Sequence, residues 1–157
     1  MLIYCFEPVG LSYEDAMPAF LRAIDNEQLR QTLFSGDQDQ LRNPLGEIGS
    51  ELTIGAVRVG NPTEEAGRVV IPIQCSTKDL SLISMVGEVT LSRLRPTLCH
   101  LSLTSSITGR LATGMMYNRE FQMAVELAVA GFLDNLARAV IVLAPSGNGR
   151  RWGSYSA

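Results

Sequence analysis

Apolar positions along this chain change period part-way through. Between residues 51 and 107 they alternate with polar ones, as strands with one buried side require. Leu52, Ile54 and Ala56, then Val69, Ile71, Ile73 and Cys75, then Val89 and Leu91, then Cys99, Leu101, Leu103 and Ile107 fall in the inward phase. Glu51, Thr53, Gln74, Glu88, Thr90, Ser92, His100, Ser102 and Thr104 take the outward one. From Tyr117 to Leu143 the spacing lengthens to three or four residues. Phe121, Val125, Ala128, Phe132, Leu136 and Ala139 then lie on one helical face, with Arg119, Gln122, Glu126, Asp134 and Arg138 elsewhere. A long helix that follows a sheet must lie across it to bury such a stripe.

The remaining elements follow from punctuation. Residues 2–7 read as a strand, closed by Pro8, Val9 and Gly10. Ser12 to Asp15 resembles a capping box, opening a helix to about Ile24, with Pro18 expected either to kink it or to mark its true start. Asp25 to Gln28 starts a second short helix, with Leu29, Leu33 and Phe34 on its buried side. Residues 36–50 are turn-rich and read as an exposed loop. Four strands then follow over Glu51–Val59, Gly67–Ser76, Ser84–Leu94 and Thr97–Ile107, with connections short enough for hairpins and hence an antiparallel meander. Asn118 is the expected cap of the last helix, with Glu120 in its first turn. After Pro145 the chain turns to Gly, Ser and Arg. The expected organisation is one α+β domain over residues 1–144 and a flexible tail over 145–157.

Composition narrows the function classes. The chain has 157 residues, 46% of them hydrophobic and 18% charged, with a net charge of −3. That length suits a single domain with a substantial core, and the charge offers nothing to nucleic acid. Residues 1–80 carry 12 acids against 6 bases and the rest 4 against 7, an asymmetry too small to define a partner. No apolar run reaches the roughly 18–20 residues that cross a bilayer, and the first residues lack the basic flank and long apolar run of a signal peptide. Cys5, Cys75 and Cys99 stand singly in strand-like runs without metal-ligand spacing. Buried free thiols in a reducing cytoplasm are expected, with no metal and no cofactor.

Two segments carry a resemblance. Val89 to Leu103, a Leu-rich strand pair broken at Pro96, and Met123 to Ala137 resemble the closing strands and helix of many bacterial members of the START-like, or SRPBCC, superfamily. The order of elements is similar over about residues 2–143. The resemblance implies the helix-grip fold, a curved antiparallel sheet wrapped around a long C-terminal helix. It also implies a cavity between them for an apolar or amphipathic small molecule, such as a lipid or a polyketide-like compound. The superfamily has no shared catalytic motif, so no catalytic residue follows from it.

Within that frame the expected apolar wall is Phe121, Val125, Ala128 and Phe132 from the helix with Leu101 and Leu103 from the sheet. Arg58 continues the phase of Ala56, and Arg93 that of Leu91, so either guanidinium can stand at the cavity mouth and pair with a carboxylate or phosphate. The competing reading is a strand-end arginine that turns to solvent or bonds a nearby acid. Tyr117 and Tyr4 offer phenolic groups to a polar ligand atom. His100, the one histidine, faces outward with Ser102 and no nucleophile elbow, which argues against hydrolytic chemistry. Three functions follow. The leading one is binding of a hydrophobic or amphipathic molecule without covalent chemistry. The others are a cyclase- or dehydratase-like enzyme using Arg58, Arg93 and Tyr117, and a cavity-less interaction domain or homodimer contacting through Met123, Leu127 and Leu133.

Overall fold

The computed structural model describes residues 1–31, 54–77, 83–115 and 117–145. The expected loop at 36–50, Leu33, Phe34, most of the expected tail and the start of the second expected strand lie outside these. The architecture is the expected α+β helix grip: a curved antiparallel sheet with a long C-terminal helix.

Among the described residues six strands form the sheet: β1 (Leu2–Val9), β2 (Ile54–Val59), β3 (Thr63–Glu65), β4 (Arg68–Thr77), β5 (Ser84–Arg95) and β6 (Leu98–Thr108). Their order is β1, β6, β5, β4, β2, with β3 pairing to β4, and every pairing is antiparallel. The meander is therefore β4, β5 and β6, and the first strand closes on the last. A strand absent from the sequence reading, β3, has only exposed side chains and no alternation to betray it. It folds back on β4 through Ala66 and Gly67, the latter with φ +70°, a conformation that glycine adopts at little cost.

The helices are α1 (Tyr13–Asp25), α2 (Glu27–Gln31), α3 (Arg110–Met115) and α4 (Arg119–Leu143). Ser12 caps α1, its hydroxyl accepting from Asp15 N–H at 3.2 Å. The helix begins there and runs through Pro18, whose ring leaves the Glu14 carbonyl without its intrahelical donor. Buried Tyr13, Ala16, Ala19, Phe20, Ala23 and Ile24 supply the packing that offsets this. Asn26 Oδ1 accepts from Gln28 N–H at 2.9 Å at the start of α2. Asn118 caps α4 as expected, accepting from Phe121 N–H at 3.0 Å. The connector read between the last strand and α4 contains the short α3.

One core joins the layers. α1 and α4 pack on one another and on the same side of the sheet, α4 against β1 and β6, α1 against β5 and β6. Arg22 on α1 donates to the Leu143 carbonyl at 2.8 Å, placing a cation at the C-terminal end of α4 where the helix dipole favours it.

Candidate functional site

Residues directly opposite one another in an antiparallel sheet share a face, so the registers define rows across the gripping side. Val57, Cys75, Met85 and Ile107 form the first row. The second is Val59, Ile73, Gly87, Ser105 and Ile3. Ile71, Val89, Leu103 and Cys5 make the third, and Val69, Leu91, Leu101 and Glu7 the fourth. Arg93, Cys99 and Val9 close the set. Within this floor the β4, β5 and β6 side chains from Val69 to Ile107 are buried, Arg93 excepted, as are Ile3 and Val9.

Above it stands the stripe of α4. Phe121, Val125, Ala128 and Phe132 are buried, as are Leu101 and Leu103 beneath, so six of the expected wall residues belong to one apolar core. Val129, Leu133, Leu136, Ala137 and Val140 join them. The stripe is thus broader than the sequence reading drew it, and Leu133, expected on the polar side, lies in the core instead. Met123 and Leu127 are exposed.

Of the four expected polar contacts, three face solvent and one pairs with an acid. Arg58 is exposed while Val57 and Val59 pack against the core. The reason is a register shift between Ile54 and Ala56: Ile54 opposes Thr77 and Val57 opposes Cys75, so the extra residue Gly55 reverses the phase on which Arg58 was placed inward. Tyr117 sits in the turn before α4 with 92% of its surface exposed, away from any enclosed site, and Tyr4 is exposed on the outer side of β1. Arg93 is half-exposed. Its guanidinium pairs with Glu14 and lies 5.5 Å from the centroid of the Tyr13 ring. This is the acid-bonding alternative of the sequence reading, and it fastens the start of α1 to the end of β5. The Arg93 N–H also donates to the Gly67 carbonyl at 2.9 Å, joining the β3–β4 turn to the same corner.

Two polar groups that sequence reasoning passed over lie inside. Among the described residues the Ser105 hydroxyl and the Tyr13 hydroxyl are buried with no hydrogen-bond partner; so is Nδ1 of His100, which lies on the outward side of β6 as expected. The signal for Ser105 was present: it interrupts the inward series Leu101, Leu103, Ile107. Burial, the largest effect, and nearby Glu64 raise the Tyr13 phenol above its ordinary value against the opposing pull of Arg93. Burial also pushes the Cys75 thiol up to about 12 and the Cys99 thiol to about 11, and Cys99 Sγ donates to the Val9 carbonyl at 3.7 Å. Cys5 is raised by burial and then by Glu126. All three cysteines are free and held as thiols, poor nucleophiles and poor metal ligands in that form. Among the described residues no cluster of His, Cys, Asp and Glu is placed to hold a metal, and no helix is long and apolar enough to cross a membrane.

No family model matches the chain, and no curated protein matches it. Solved structures do. A conserved protein from Geobacillus kaustophilus has a TM-score of 0.51 at 10% identity, over 89% of this chain and 95% of that one. The chain shares that protein's fold. An aromatase/cyclase from Streptomyces sp. R1128 matches with a TM-score of 0.40 at 14% identity, over 94% of this chain and 98% of that one. A START superfamily protein from Mycobacterium smegmatis matches with a TM-score of 0.26 at 12% identity, over 86% and 98%.

Proposed function

We propose that the protein binds a hydrophobic or amphipathic small molecule, lipid or polyketide-like, between the sheet and α4, with residues 1–144 as the binding unit and 145–157 as a tail. The observation that carries this reading is the make-up of the grip. Rows of apolar side chains on a curved sheet face the apolar stripe of α4, and a buried serine hydroxyl among them has no partner. Small-molecule sites are of this kind, mostly apolar with few polar groups that fix orientation. Leu101, Leu103, Phe121, Val125, Ala128 and Phe132 are the proposed wall. Arg58 and Tyr117, facing solvent, are left out of it, and Arg93 acts as a fastening of α1. Three free cysteines favour a reducing compartment, the cytoplasm, as the site of action.

Native mass spectrometry of gently purified protein tests this, with extraction and identification of what is released. The reading expects a mass excess that yields an apolar or amphipathic compound. A clean apo mass, with no uptake from a panel of fatty acids and aromatic polyketides, contradicts it.

A second reading concerns assembly. Leu2, Tyr4 and Phe6 are 82%, 62% and 63% exposed on the outer side of β1, at one end of the strand order. Such a stripe favours self-association. Sedimentation equilibrium should show a dimer that Phe6→Asp weakens; a monomer at all concentrations contradicts it.

A further inference from the structure

Among its buried positions the floor of the grip has one polar side chain. Ser105 is 2% exposed, lies between Leu103 and Ile107 on the gripping side of β6, and has a hydroxyl with no hydrogen-bond partner. Across the strands it is flanked by Ile3 and by Gly87. A β-carbon at Gly87 would fall 2.7 Å from the Ser105 β-carbon and 2.3 Å from the Thr104 carbonyl oxygen. Position 87 therefore admits no side chain, and Ser105 alone fills the space of two floor positions. The surrounding rows carry Leu103 and Val89 on one side and Ile107 and Met85 on the other. The result is a closely packed apolar floor with a single buried hydroxyl in it. A buried hydroxyl without a partner is costly, and native proteins keep such groups where something else satisfies them.

Resting on the binding reading above, we propose that Ser105 is the polar anchor of the site. It hydrogen-bonds a hydroxyl or carbonyl on a ligand whose remaining surface is apolar. The ligand class is thereby narrowed to molecules that carry a neutral hydrogen-bonding group on the part lying against the floor. A carboxylate or phosphate is excluded from that position because nothing on these rows beside Ser105 neutralises a buried charge.

The test compares two probes of equal shape, 1-naphthol and 1-methylnaphthalene, by equilibrium dialysis against the wild-type protein and Ser105→Ala, with melting temperatures of both proteins. The expected result is that wild type prefers 1-naphthol by about tenfold, the worth of one buried hydrogen bond. Ser105→Ala abolishes that preference, leaves 1-methylnaphthalene binding unchanged and melts no lower than wild type. If Ser105→Ala keeps the preference, the anchor is overturned while the pocket stands. A clear drop in its melting temperature also overturns the anchor, because it would mean that the hydroxyl is already satisfied within the protein. If neither probe binds wild type, the pocket itself is absent and the anchor falls with it.

Discussion

The packing around Gly87 sets how closely β5 and β6 approach. Because an added β-carbon would collide with backbone on the neighbouring strand, Gly87→Ala should destabilise by roughly 1–3 kcal/mol, as overpacking does, or several degrees of melting temperature. A thermal scan checks this, and an unchanged midpoint would mean that the strands separate freely there. The cysteines make a second prediction. An unfolded thiol ionises near 9.0, whereas Cys75 holds its proton to about 12 and Cys99 to about 11 when folded. The folded state therefore binds protons that the unfolded state has released. Stability should be level below pH 9 and fall as pH rises from there towards 11 and 12. Urea midpoints between pH 7 and 10.5 would show the decline, and Cys75→Ala should lessen it, with Cys75→Ala/Cys99→Ala lessening it further. Single residues were also where the sequence misled. Alternation placed Arg58 inward because a bulge leaves no mark on a period of two except Gly55 itself, and glycine within a strand is the one cue that a reader can take. The role of Arg93 depended on Glu14, 79 residues away, and no local pattern announces such a pair.

At the scale of elements, most of the fold was legible because local signals and the global fold agree. The strands β4, β5 and β6 follow the alternation to within a residue or so at each end, and α4 begins at the cap that its sequence advertises. Asn118→Ala should cost about 1 kcal/mol by leaving the Phe121 N–H unsatisfied, lowering the melting temperature by about 2–4 °C. Asn118→Ser should restore most of this, and failure to do so would assign the loss to something other than the cap. What escaped were β3 and α3, three and six residues long. Neither has enough length to show a period: β3 exists because a turn folds it onto β4, and α3 because the chain must pass from β6 to α4. Of the two expectations for Pro18, a kink or a helix start, the start is excluded: its local penalty is real, but the buried face of α1 outweighs it, and the helix continues from Tyr13 to Asp25.

For the molecule as a whole, the sequence showed that a helix must cross a sheet and which residues would meet there; Phe121, Val125, Ala128, Phe132, Leu101 and Leu103 all reach one core. It did not show Tyr13 or Phe20, since α1 joins the grip through tertiary packing on α4, β5 and β6. Under the proposed function the grip is a receptor and not merely a core. The most direct measurement is titration of the protein with N-phenyl-1-naphthylamine, an uncharged probe that brightens in apolar surroundings, followed by competition with fatty acids and aromatic polyketides. A saturable enhancement with one site per chain, reversed by a competitor, is what the account predicts. Fluorescence that rises linearly without saturation, or does not rise while the protein remains folded, would contradict it.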